Sequence, residues 1–360
     1  MLIKFTAPKI STLIKAICVF GLCIAVLTFS DKCSSGALKG LDFCIKILIP
    51  SLFPFMALSS FISSSGITEH TGKITEKIMN NIFGLPASFA PIILLSVIGG
   101  YPIGAKGISL LYNKNPANEF YCKKAALFAV CAGPGFIINY IGASLYSNHQ
   151  LGFVILISQI LSVVIIGIAS NIINSKKENL QPKNNYIKSK HSDLSTLIVK
   201  SAVDSSRGIF NICTFVVLFS AFTGIINSVM NEGIIKNSIL CLLEVCTACE
   251  ALSNNGTIEA VAFAIGFGGL CVHFQIYSLL TEIKINKALF FSVRILQGGI
   301  TALLTHILIV LFPQSKAVFS TSSVESVKTY SNNFISVIAL IAVAICFLYS
   351  IKDFKQIKRR

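Results

Sequence analysis

Gly99-Gly100-Tyr101-Pro102-Ile103-Gly104-Ala105-Lys106 lies inside Pro86 to Tyr112, an apolar stretch long enough to enter a membrane. Glycine and proline break a helix, and in lipid a broken helix leaves backbone N–H and C=O groups without partners. Such a break is tolerated only where protein or water covers it. In carriers that place is commonly a substrate or ion site near the bilayer midplane. The plainer alternative is a kink or a close helix–helix contact, since both residues are common in membrane helices.

The rest of the chain fixes the class. Its 360 residues are 54% hydrophobic and 12% charged, with a mean hydropathy of +0.76. A soluble domain carries about 25% charged residues. Long apolar runs, not short alternating ones, predict an all-α polytopic membrane protein and exclude a β-barrel. The net charge of +15 sits mainly in loops and at the ends. That pattern points to a bilayer with anionic headgroups, not to nucleic acid. Most of the twelve cysteines lie in apolar runs, where Cys acts as a small hydrophobe. Cys246-Thr247-Ala248-Cys249 has no second pair or His cluster to complete a metal site. No metal and no cofactor are expected.

Hydropathy marks successive apolar segments: Ala16–Phe29, Gly40–Ile67, Pro86–Tyr112, Ala125–Tyr146, Leu151–Ile173, Ile209–Met230, Ile234–Leu252, Ile258–Leu280, Ala288–Phe312 and Phe334–Ile351. Charge decides which of them cross. The stretch 174–207 carries Lys176, Lys177, Lys183, Lys188, Lys190, Lys200 and Arg207 against Glu178, Asp193 and Asp204. The tail carries Lys352, Lys355, Lys358, Arg359 and Arg360. Both read as cytoplasmic, as does the loop with Lys123 and Lys124. If every segment crossed, the basic N-terminus would lie outside. If Pro86–Tyr112 enters and leaves on the cytoplasmic side, the N-terminus returns inside. By the same logic Ile234–Leu252 enters and leaves from outside.

The expectation is about eight transmembrane helices plus two re-entrant hairpins of opposite orientation, arranged as an inverted repeat. Phe128-Ala129-Val130-Cys131-Ala132-Gly133-Pro134 lays over Phe263-Ala264-Ile265-Gly266-Phe267-Gly268-Gly269. Likewise, residues 55–61 lie over residues 215–221. The expected divisions are a cytoplasmic segment and anchor helix (1–39), a first repeat (40–173) with hairpin 86–112, and a basic cytoplasmic linker (174–207). A second repeat (208–312) with hairpin 234–252 follows, then an outer loop, last helix and basic tail (313–360).

Five motifs then occur in order: Ser51-Leu52-Phe53-Pro54-Phe55, the Gly99–Lys106 motif, Ala132-Gly133-Pro134, Leu243-Glu244-Val245, and Gly266-Phe267-Gly268-Gly269-Leu270-Cys271-Val272-His273-Phe274-Gln275. In this order they resemble the YlbJ-type sporulation integral membrane proteins, within the nucleoside-recognition or Gate-domain family. The resemblance covers roughly Ile49 to Phe312. Cys131-Ala132 departs from it where an Asn-Ala-like pair is expected. The resemblance implies a role in endospore formation, in the cell membrane or forespore membrane, and passage of dipicolinate, a small aromatic dicarboxylate. The family name reflects kinship to nucleoside carriers and to the gates of ferrous-iron transporters.

The residues themselves are compatible with an anion. Hairpin tips in mid-membrane present half-helix N-termini, whose free N–H groups attract carboxylates. Gly99, Gly100 and Gly104 let a ligand approach the backbone, and Pro102 keeps the helix from resuming at once. Tyr101, Gly133, Pro134, Gly268 and Gly269 complete the expected substrate-binding set at the breaks. Lys106 is read either as a cation for the substrate or as a lysine snorkelling to the interface. Glu244 is the first candidate for ion or proton coupling and Glu250 the second, as intramembrane carboxylates are costly. His273 and Gln275 are candidate ligands by their place in the family motif. Asn139, Thr247 and Arg294 are weaker polar candidates, since such residues often only tie helices together. His306 reads as structural. No G-x-S-x-G, H-E-x-x-H, Walker A or dinucleotide fingerprint is present, so the chain is not read as an enzyme. The expected function is a secondary carrier of a small organic anion. A nucleoside or ion carrier and a non-transporting envelope scaffold are the alternatives. The expected partners are that anion, the bilayer and further copies of the chain in a homo-oligomer.

Overall fold

The computed structural model describes residues 10–65, 75–114, 116–174 and 193–312, and every regular element among them is helical. α1 (Ile10–Thr28) leaves Ile17, Val19, Phe20, Leu22, Ile24 and Leu27 exposed, as lipid would require. α2 (Ser30–Phe43), one π-helical turn (Cys44–Leu48) and α3 (Ile49–Ser64) run on without a loop. Ser30–Ile62 is therefore one apolar span of 33 residues. It begins ahead of the expected Gly40, and residues 30–39, assigned to the anchor segment, are its first turns. The π turn has a cause. Pro50 and Pro54 lack an N–H, so the carbonyls of Lys46 and Pro50 lose their usual helical partners.

α9 (Leu194–Val229) lies antiparallel to α2–α3. Small residues let the backbones meet. A methyl added at Gly36 would overlap the Ser220 carbonyl oxygen and stand 3.0 Å from Gly224 Cα. One added at Gly40 would stand 2.7 Å from Ser220 Cβ. This is the close small-residue packing that replaces hydrophobic drive between helices in lipid.

α4 (Thr75–Phe83) and the helical segment Ala87–Gly99 meet at 97°, around the left-handed Gly84 (φ 55°). α5 (Ala90–Gly99) and α6 (Tyr101–Lys114) then fold back on each other: Gly104 faces Ser96 and Gly107 faces Ile92. The turn is at Gly100, whose φ of 93° favours glycine. α7 (Glu119–Ala126) ends in a non-helical stretch, 127–133, before an eleven-residue π-helix (Gly135–Leu145) and α8 (His149–Asn174).

In the second half, α10 (Ile234–Leu243) and α11 (Val245–Asn255) form another hairpin. Asn255 Nδ2 donates to Glu232 Oε2 at 3.5 Å across its open end, and Glu244 is its tip. α12 (Ile258–Phe267) and α13 (Gly269–Leu279) are one span broken at Gly268, and α14 (Lys287–Leu311) follows.

Five helices among the described residues are long and apolar enough to cross a membrane, six if the bent pair at Gly84 is one span. The expected eight spans are thus met among the described residues by five or six. Ala125–Tyr146 is split by residues 127–133, and α1 contributes only a shorter apolar stretch. Phe334–Ile351, the tail and residues 175–192 of the linker lie outside the described residues.

Certain contacts occur twice. The tip glycine Gly100 abuts Gly133, the two being so close that a methyl on either would stand 3.2 Å from the other's nitrogen. In the second half Gly269 abuts the other tip, with the same 3.2 Å to Glu244 N. Phe128 packs on Gly167 of α8, and Phe263 packs on Gly298 of α14. Each hairpin tip thus meets the break of the span that follows it.

Candidate functional site

The two tips and the first break meet at a small cavity of ≈ 40 Å³, while Gly268 and Gly269 of the second break, expected to bind substrate, do not line it. Gly100, Tyr101, Pro102 and Gly133 line it from the first half, Glu244 and Gln275 from the second. It has room for roughly three water molecules. An aromatic dicarboxylate does not fit it in this state.

Glu244 is 1% exposed and yet fully hydrogen-bonded. One carboxylate oxygen accepts from Cys246 N at 2.9 Å, the other from Thr247 N at 2.6 Å and Thr247 Oγ1 at 2.9 Å. It is the N-cap of α11, satisfying N–H groups that a helix start leaves free. The expectation that this half-helix N-terminus awaits a substrate carboxylate is therefore corrected: the chain's own carboxylate fills it. Glu244 also reaches a second, larger space. A vestibule of ≈ 530 Å³ between α2, the end of α9 and the second hairpin is lined by Lys32, Lys39, Tyr140, Thr223, Thr247 and Glu250, and Glu244 forms part of its wall. The one carboxylate thus borders both spaces.

Arg294, on α14, is the residue that sequence reasoning undervalued. Its side chain is completely buried. Nη1 donates to Val130 O at 2.6 Å, and Nε to Phe267 O at 3.2 Å. Both carbonyls lie at breaks. In a helix Val130 O would accept from residue 134, but Pro134 has no N–H. Phe267 O is cut off by the left-handed Gly268. The guanidinium thus serves one freed carbonyl from each half. Nη1 also donates to Gln297 Oε1 at 2.6 Å, and the guanidinium lies 5.6 Å from the Tyr101 ring centroid. Tyr101 OH in turn donates to Ile265 O. The signal that would have found Arg294 is its position: an arginine within a 25-residue apolar span is functional by default.

The remaining candidates divide. Gly99 ends α5 at the tip, and Gly268 carries the second break. Pro134 starts the π-helix behind Gly133. Gln275 lines the cavity, its Nε2 donating to Cys271 Sγ at 3.3 Å. Gly104 is a packing residue, held against the Ala129 carbonyl. Lys106 borders neither the cavity nor the vestibule, and its Nζ donates to the Asp204 carbonyl of α9 at 3.0 Å. Asn139 is exposed on the π-helix and away from the cavity. His273 is buried among Phe267, Phe290 and Phe291, with neither ring nitrogen hydrogen-bonded. His306 pairs with Glu259 at 2.9 Å between α14 and α12. The described residues hold no group of three or more His, Cys, Asp or Glu that could bind a metal.

Apolar helices of spanning length, broken where buried side chains meet the freed backbone groups, define a polytopic helical membrane protein. Residues 45–175 match the Gate family, described as nucleoside recognition. Over 339 aligned positions, covering 83% of each chain, the protein is 24% identical to the sporulation integral membrane protein YlbJ of Bacillus subtilis (strain 168). No solved structure matches it.

Proposed function

We propose that this protein is a secondary carrier of a small organic anion of the dipicolinate kind, acting in sporulation. The observation that carries the reading is the doubled contact of hairpin tip against glycine break, with the two tips on one cavity and a vestibule reaching its wall at Glu244. A scaffold has no use for such breaks, which need buried polar groups to satisfy them. The name of the B. subtilis relative supports a role in the spore.

On this reading the two hairpins are re-entrant, 86–112 from the cytoplasmic side and 234–252 from outside, within an inverted repeat. The two termini are cytoplasmic, the membrane is that of the cell or forespore, and the vestibule opens away from the cytoplasm. The closed ≈ 40 Å³ cavity is the substrate site in its empty, contracted state. Glu244 is the coupling residue: protonation would weaken its hold on α11 and loosen the wall between vestibule and cavity.

A nucleoside is the second reading, favoured by the description of the Gate family and by the uncharged Gln275, Thr223, Thr247 and Tyr140 along the two spaces. Proteoliposomes loaded with the purified protein test both. Saturable uptake of radiolabelled dipicolinate supports the first reading. Uptake of uridine without dipicolinate replaces it with the second. Uptake of neither refutes both carriers.

A further inference from the structure

The guanidinium of Arg294 has more donors than acceptors. Of its five N–H groups, those on Nε and Nη1 are used, while Nη2 has no hydrogen-bond partner among the described residues. Gln297, one turn further along α14, spends its carbonyl on Arg294, and its Nε2 is likewise without a partner. Both side chains are 0% exposed. Four N–H bonds, on two side chains that touch through Nη1 and Oε1, therefore lie deep in the bundle with no acceptor among the described residues. No carboxylate pairs with Arg294 among the described residues. Buried charges are otherwise paired, and a donor left unmade in the interior is costly.

The place of these donors is informative. A methyl added at Gly268 would stand 3.4 Å from Arg294 Nη2, so the free nitrogen looks onto the second break. Tyr101 lies over the guanidinium and lines the cavity between the tips. The Tyr101 ring thus stands between the guanidinium and the cavity. A swing of Tyr101, which sits at the glycine tip of the first hairpin, would join the two.

We infer that Arg294 and Gln297 are the carboxylate-binding pair of the transport site, and that Tyr101 is the cover over it. In the loaded state Arg294 Nη2 and Gln297 Nε2 donate to the oxygens of one carboxylate of a small organic dianion, while Nη1 and Nε keep their carbonyls. The guanidinium then gains the counter-charge it lacks, and the breaks stay satisfied throughout. This rests on the anion-carrier reading above.

The test uses the full-length protein in detergent, with dipicolinate, its neutral dimethyl ester and chloride as probes, read by calorimetry and by thermal shift. The decisive variant is Gln297→Glu, which places a carboxylate beside Arg294 and fills the site from within. It is expected to melt no lower than wild type and to bind dipicolinate roughly tenfold to a hundredfold more weakly, the loss of charge-assisted hydrogen bonds. Gln297→Met and Arg294→Lys should weaken dipicolinate in the same direction, and the diester should not bind wild type. Wild-type affinity in a folded Gln297→Glu protein overturns the assignment, as does diester binding equal to that of the dianion. Protection by chloride equal to that by dipicolinate shows a site for any small anion and also overturns it. Absence of dipicolinate binding to wild type is a different result: it removes the anion-carrier reading itself.

Discussion

Gly104→Ala separates a packing role from a ligand-space role at the first hairpin. Gly104 lies in α6 opposite Ser96 of α5 and against the non-helical stretch after α7. The added methyl would overlap the Ala129 carbonyl oxygen and stand 2.8 Å from Ser96 Cβ and 3.1 Å from the Ala129 carbonyl carbon. Ordinary contact needs at least about half an ångström more, and backbone on one side and a fellow helix on the other leave little give. Overpacking of this kind costs about 1–3 kcal/mol. Alanine's better helix propensity returns up to about 1 kcal/mol. The net expectation is a loss of roughly 1–2 kcal/mol, a fall of a few degrees in melting temperature for a chain of this size. The chain has no tryptophan but twelve cysteines, among them the buried Cys122, Cys131 and Cys271. A thiol-reactive fluorophore therefore reports unfolding directly. Gly299→Ala is the control, since nothing lies within 4 Å of its added methyl, and it should melt at or above the wild-type temperature. If Gly104→Ala melts with Gly299→Ala, the close hairpin contact is not there.

Further outcomes follow from the same geometry. Lys106→Gln should leave dipicolinate affinity unchanged, because Lys106 reaches Asp204 O and not the cavity; weakened binding in calorimetry would return Lys106 to the site. His273→Phe should be tolerated in both melting and uptake, as the ring makes only aromatic contacts. Lost uptake in a stable protein would show that the imidazole serves the substrate. Glu244→Gln keeps one acceptor for α11 but offers an NH₂ to a second N–H. It should cost about 1 kcal/mol of stability and flatten the pH dependence of uptake, whereas an unchanged pH profile would exclude Glu244 from coupling. On a cysteine-free background, an impermeant maleimide should label residues at Lys39 and Asn254 from outside, and at Ser195 from the cytoplasm. Labelling of Asn254 from the cytoplasm would reverse the orientation of the second hairpin.

Composition made the helical membrane class legible, glycine placement the first hairpin with its turn at Gly100, and loop charge the segment of the second hairpin though not its tip at Glu244. The overlay of residues 128–134 on 263–269 matched positions that make equivalent contacts, Phe128 on Gly167 and Phe263 on Gly298. Helix boundaries were less legible. Ser30–Lys39 looks like a polar loop, yet Gly36 and Gly40 need to be helical to seat α2 on Ser220 and Gly224. That need comes from a partner nearly two hundred residues away. Cavity-lining residues were legible at the first tip and break, Gly100 to Pro102 and Gly133, and poorly so elsewhere. Lys106 and Asn139 carry the right chemistry, but their helical phase turns them from the cavity. Arg294 was underweighted because its partners are main-chain carbonyls, which carry no residue-type signature.

The charges in the core follow from the breaks themselves. Interrupting a helix in a membrane frees donors on one side of the cut and acceptors on the other. Here Glu244 answers the freed N–H groups of α11, and Arg294 answers the freed carbonyls of Val130 and Phe267. The acid and the base do not pair with each other; each is bound to backbone. Their charge states are therefore tied to the shape of the hairpins. On the proposed function, a proton on Glu244 would loosen α11, and an anion on Arg294 would add a second claim on the group that joins both halves. Two such ligands of opposite charge would be thermodynamically coupled if each shifted the same conformational equilibrium. The proposed carrier of an organic anion driven by protons would need that coupling, and these two residues are where we place it.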